Sequence, residues 1–222
     1  MAIFRQQRPT RLESSLSMLK DTCFRFAACT ALLLSTALSF GQTAYFPERV
    51  LGEDSWDAKF KTDWYSKFLT AFNEPSLWEA SKSQKEQSYR FLWLRSFDNP
   101  VSVRLDVQPD GSALLTVKVG TLEGDYEPGK LIENRTKRVS REQTHWFLNM
   151  IEELKFWSLP TNPPKDPNEV HLDGAQWILE GVKDTKYHVV DRWSPDKGEV
   201  HTLGITMLID LAELKLLYQE VY

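Results

Sequence analysis

The spacing of apolar residues changes several times along this chain, and each change marks an element. From Glu53 to Phe72 large rings recur every fourth residue, at Trp56, Phe60, Trp64, Phe68 and Phe72. That spacing predicts an amphipathic helix with its rings on one stripe. Asp54 or Ser55 is placed to cap it, and Asn73-Glu74-Pro75 to stop it. Residues 76 to 87 are polar, with a short helix expected around Trp78. From Tyr89 the period drops to two. Tyr89, Phe91, Trp93 and Phe97 alternate with other residues, then Val101, Val103, Leu105 and Val107, then Ala113 to Val119 after the turn Pro109-Asp110-Gly111. A further strand at 131–139 completes an antiparallel meander, wet on one side.

Ser140 and Gln143 have the spacing of a capping box and open a helix reaching Leu154, with Trp146, Phe147, Met150, Ile151 and Leu154 as its buried stripe. A long loop with four prolines runs from Ser158 to Gly174. Strands are predicted at 175–182 and 186–193. A last helix is predicted at 200–217, with Leu203, Met207, Leu211 and Leu214 on one face. The order α-ββββ-α-ββ-α has hairpins and no βαβ alternation. It predicts an α+β fold: an antiparallel β-sheet of about six strands with helices packed on one face, or with the first helix standing apart as an arm.

The N-terminal region changes the picture. Phe26 to Phe40 is an apolar, uncharged run of 15 residues preceded by Lys20 and Arg25. This is the layout of a secretory signal peptide, and it is short for a bilayer span of ~20 residues. Cleavage after Gly41 or Ala44 is expected, and Met18 is the expected true start. The expected division is 1–41 signal peptide, 42–88 N-terminal helical segment and 89–222 α+β domain. Localisation is then exported, periplasmic or secreted, with the membrane met only through the signal segment.

Both cysteines, Cys23 and Cys29, fall in that segment. The mature chain would hold no disulfide, thiolate metal site or cysteine nucleophile. Charge points the same way. The whole chain has 27 basic and 31 acidic residues; residues 1–41 take five and two of these, leaving 22 against 29, a net of −7. An acidic chain is a poor phosphate-backbone binder, so no nucleic-acid partner is expected. The histidines His145, His171, His188 and His201 make no close ligand pair, no phosphate-binding glycine motif occurs, and no cofactor or metal is expected. Glu123 to Glu127 offers alternate carboxylates and reads as a solvated acidic loop.

Eight tryptophans remain. Trp56, Trp64, Trp93 and Trp146 fall on periodic stripes that read as core, while Trp78, Trp157, Trp177 and Trp193 are open to either role. The last hairpin carries the densest chemistry. With a three-residue loop at Lys183–Thr185, Glu180 faces His188 with Arg192 on the same side, a carboxylate orienting an imidazole beside an anion clamp. With a two-residue loop, Glu180 faces Val189 and the cluster dissolves. No catalytic residue is assigned; the candidates, should the hairpin hold one, are Glu180, His188 and Asp191. A ligand site is expected where the proline-rich loop meets the hairpin, at Trp177, His188, Arg192, Trp193, His171 and Asp173.

The runs Trp177-Ile-Leu-Glu-Gly181 and Tyr187-His-Val-Val-Asp-Arg-Trp-Ser-Pro195 resemble a signature of uncharacterised exported bacterial proteins. The resemblance spans about residues 89–217 and is loosest at 158–172. It implies a bacterial exported domain and carries no activity. The expected function is a non-catalytic exported domain binding a protein or small ligand at the cell envelope. The alternatives are an envelope glycan or peptide hydrolase using Glu180, His188 and Asp191, and a structural subunit of an exported assembly.

Overall fold

The computed structural model describes residues 43–52, 55–83, 87–124, 126–163, 173–216 and 221–222. The expected signal segment and His171 lie outside the described residues. Thr43–Tyr222 form one compact unit, so the described residues between Thr43 and Ser83 belong to the same body as the strands. Helices α1 (Ser55–Ala71) and α2 (Leu77–Ala80) precede β1 (Gln87–Arg95), β2 (Val101–Val107), β3 (Ala113–Leu122) and β4 (Pro128–Val139). Helix α3 (Arg141–Glu153), a 3-10 turn at Phe156–Ser158, β5 (Ala175–Lys183), β6 (Lys186–Trp193) and α4 (Glu199–Ile205) follow.

The strands pair antiparallel in the order β4-β3-β2-β1-β5-β6. This is the expected α+β class. The meander forms through local turns: Gly111 takes φ 84° after Pro109-Asp110, and Asp110 Oδ1 accepts from the Ser112 amide at 3.0 Å. The capping box also forms, with the Gln143 amide donating to Ser140 Oγ at 3.2 Å and the Ser140 amide to Gln143 Oε1 at 3.4 Å.

Strand alternation divides the side chains between two cores. Tyr89, Phe91 and Trp93 of β1, with Val103, Leu115, Trp177 and Leu179, pack under Phe147 and Ile151 of α3 and Leu203 of α4. On the other face Leu92, Leu94, Ile178 and Val189 pack against Tyr45, Phe46 and Leu51, against Tyr65, Phe68 and Leu69 of α1, and against Phe72 just beyond it. The expectation of helices on one face is corrected here: α1 covers the second face. The reason is visible in β1 and β5, which are apolar at both parities, as strands buried on both sides must be.

The ring stripe of α1 is also corrected. A strict four-residue repeat advances about 40° per step on a 3.6-residue helix, so five such rings fan over about 160°. Phe68 and Phe72 are buried and Trp64 is half-buried, but Trp56 is 75% and Phe60 37% exposed. The buried face is instead Tyr65, Phe68, Leu69 and Phe72, at spacings of three, one and three. On α3 the buried line is Thr144, Phe147 and Ile151, leaving Trp146 43% exposed rather than in the core.

The last helix stops short of the expected Leu217. After Ile205 it widens into a π-helix, Thr206–Leu211, and Glu213 turns to φ 55°. Within it Thr206, Met207, Leu208 and Leu211 are buried. One turn earlier Gly204 lies against the Trp177 ring: a Cβ there would sit 2.6 Å from Cζ3 of Trp177 and 3.0 Å from Cζ of Phe91. Gly204→Ala is therefore expected to destabilise by about 1–3 kcal/mol through overpacking, against alanine's better helix propensity. Urea unfolding of the variant checks this, and an unchanged or raised midpoint would show that the contact relaxes.

Candidate functional site

The chain after α1 explains how that helix is held. Asn73 takes φ 50°, its amide donates to Thr70 O at 2.9 Å, and the Glu74 amide donates to Leu69 O at 2.9 Å. This is a Schellman close with asparagine in the left-handed position. It turns the Glu74 carboxylate onto the sheet. There Arg90 and Arg104 stand directly opposite each other on β1 and β2, with Lys118 on β3. Like charges in that relation repel. Glu74 sits among them: Oε2 is 2.8 Å from Arg104 Nε and 3.6 Å from Arg90 Nη1, and Oε1 is 2.7 Å from Lys118 Nζ.

Glu180 opposes Arg90 from β5, accepting from its Nε at 2.8 Å and Nη2 at 2.5 Å, while Arg90 Nη1 donates to Pro75 O at 2.6 Å. The Tyr187 hydroxyl donates to Glu180 Oε1 at 2.9 Å. Burial raises the Glu74 carboxyl, but Arg90, Arg104 and Lys118 outweigh it and hold Glu74 below the ordinary carboxylate value. Burial, and then the neighbouring Glu180, push the Tyr187 phenol well above its ordinary value, so it remains a donor. A second clamp lies on the same face. Asp191 is buried, 3.0 Å from Lys61 Nζ and 3.1 Å from the Tyr65 hydroxyl, and accepts from Gln176 Nε2. Helix α1 is thus tied to β6 at its middle and to β1–β3 just beyond its end.

The clamps leave the other side of α1 outward. Trp56 and Phe60 stack at 5.7 Å with their planes 5° apart. Phe60 and Trp64 meet the Tyr126 ring edge-on at 5.4 and 4.9 Å, and Tyr126, in the β3–β4 loop, is 48% exposed. Lys67 pairs with Glu127 beside it. Phe46, Pro47, Ala58 and Thr62 help line a groove of about 310 Å³ along α1. Four rings linked through Phe60 and Trp64, three of them exposed, form a ledge of the kind that anchors protein interfaces. Sequence periodicity read the α1 rings as core and passed over Tyr126 as part of an acidic loop; the 40° drift of the repeat was the signal for an outward end.

The residues singled out in the hairpin come together differently. Lys183 pairs with Lys186, so the loop is Asp184-Thr185, with Asp184 at φ 56°. Glu180 consequently opposes Val189, and His188 opposes Gly181. Glu180 and His188 point to opposite faces and make no acid–base pair. Glu180 and Asp191 share a face, but both are buried in the ion pairs that hold α1.

Trp177 is buried against Trp93, Phe91 and His201, and its indole N–H donates to Tyr222 O at 2.8 Å. His188 and Arg192 do meet the start of the proline-rich loop. His188 Nε2 donates to Leu159 O at 2.9 Å, and Arg192 donates to Thr161 O at 2.8 Å and Pro160 O at 2.9 Å. With the Asp191 amide on Thr161 O at 2.7 Å, they fasten the loop over the edge strand β6. Trp193 is half-buried and Asp173 exposed. An open cleft of about 330 Å³ touches the loop at Ser158 and Leu159, but its other walls are Glu153, Leu154, Lys155 and Glu199. Among the described residues no group of three or more His, Cys, Asp or Glu is placed to hold a metal ion.

Comparison with protein-family models and with curated proteins returns no match to this chain.

His188 supplies a pH prediction. Burial lowers its pKa below the ordinary 6.5, and the Leu159 carbonyl only partly opposes this. The unfolded chain therefore takes up the proton first as pH falls. The contribution of neutral His188 is complete above pH 6.5 and is lost as pH drops below it, by at most about 1.4 kcal/mol per pH unit. Unfolding midpoints between pH 8 and 5 are expected to fall more steeply for the parent than for His188→Gln; parallel curves would contradict the assignment.

Proposed function

We propose that this chain is an exported, non-catalytic domain that binds a partner protein at the bacterial cell envelope, and that the aromatic ledge Trp56–Phe60–Trp64–Tyr126 is its contact surface. The exposed ledge is the observation that carries this reading. Rings on a helix that is clamped in place lose little freedom on binding, which favours them as anchors. Export rests on the basic residues and apolar run that end near Gly41. The hydrolase alternative needs Glu180, His188 and Asp191 in one pocket. Nothing supports it, since the two acids are neutralised by Arg90 and Lys61 and His188 faces the other way.

Site-specific photocrosslinking in cells tests the proposal. A photoreactive residue at position 56 is expected to give a discrete protein adduct that the same residue at exposed Asp196 does not give. Absence of an adduct from position 56, or the same adducts from both, would overturn it. The paired change Trp56→Ala with Phe60→Ala is expected to abolish an adduct made from position 126. Stability should shift by no more than about 0.5 kcal/mol per site, as for other surface positions.

A further inference from the structure

A second recognition site, independent of the ledge, lies where β1 ends and β5 begins. Trp93 and Trp177 are directly opposed across these strands, both fully buried, with ring centroids 5.7 Å apart. Their indole N–H groups converge on a single acceptor, the main-chain oxygen of Tyr222, at 3.2 and 2.8 Å. The same residue is gripped at its far end. Its hydroxyl donates to Asp98 Oδ2 at 2.9 Å and accepts from the Phe97 amide at 3.4 Å.

The turn that makes this second grip is itself held. The Arg95 guanidinium lies 4.1 Å from the Trp93 ring centroid, 3.8 Å from Asp98 Oδ2, and donates to Asn99 O at 3.2 and 2.6 Å. Four groups thus read one residue at two points, its main-chain oxygen and its phenol, and the spacing between them is that of a tyrosyl residue. Indole nitrogens are donors only, so two buried ones demand an acceptor at this position. Val221 and Tyr222 are themselves only half-buried, which leaves the occupant at the surface while the two indoles that read its main chain are in the core.

We infer that this is a binding site for a tyrosyl residue of an extended polypeptide, filled here by Tyr222 and available to a partner segment of the same chemistry when Tyr222 withdraws. A tethered occupant competes at an effective concentration of roughly millimolar. A free peptide must match that to displace it.

The test uses the full chain carrying 3-fluorotyrosine at position 222 alone, read by fluorine NMR. The probes are N-acetylated Gln-Glu-Val-Tyr and its phenylalanine counterpart. The tyrosyl peptide is expected to move the label from its docked to its released resonance with a midpoint in the millimolar range, and the phenylalanyl peptide to need about tenfold more. A label undisturbed by either peptide at tens of millimolar would make Tyr222 a fixed part of the fold and overturn the proposal. So would equal displacement by both. Asp98→Ala, on the surface turn, is expected to release part of the label unaided and to erase the difference between the peptides; an unchanged signal would likewise overturn it.

Discussion

Two arginines placed side by side in the interior of a sheet make the constraint on which this fold turns. Arg90 and Arg104 oppose each other on β1 and β2, with Lys118 one strand further, all held by the Asn73–Pro75 segment that follows α1. Without anions such a row would repel itself and lose its water. Glu180 answers it from within the sheet and Glu74 from above. Glu74 reaches that position because Asn73 adopts the left-handed conformation that closes α1. A helix cap and a buried ion network are therefore one device, and its product is a helix fixed on the sheet with one side facing out. Buried ion pairs are weak evidence of net stability, but removing one partner leaves charge stranded. In this fold they determine where α1 sits.

Much of the architecture was legible in the pattern of residues. The period of two through Val101–Val107, the Pro109-Asp110-Gly111 turn and the Ser140 capping box each depend on neighbours close in sequence, and each formed as expected. What failed depends on distant partners. The second buried face was written in Leu92, Leu94 and Ile178, which fill the alternate positions of β1 and β5. A meander read strand by strand assigns those positions to solvent until a covering helix is known. The rings of α1 fit an i, i+4 rule over any two turns, and only the drift accumulated over the whole helix sends Trp56 away from the core.

The candidate site was less legible, for a physical reason. Glu180 and Asp191 drew attention as carboxylates in an apolar hairpin, and such residues serve catalysis and buried ion pairs equally well. The partners that decide the matter, Arg90 and Lys61, lie 90 and 130 residues away. A single-residue difference in loop length placed His188 on the opposite face, where it fastens the proline-rich loop instead of meeting an acid. The ledge could not be recognised from its own residues, because Tyr126 joins it from the β3–β4 loop.

The central claim is that Glu74, set by the α1 cap, neutralises the cation row and docks the helix. Glu74→Gln keeps the shape and removes the charge, so unfolding by urea together with amide exchange along α1 tests it most directly. The account predicts a loss of about 3–5 kcal/mol, with α1 amides losing protection before those of β1 and β5. A loss below about 1 kcal/mol with α1 protection intact would contradict it.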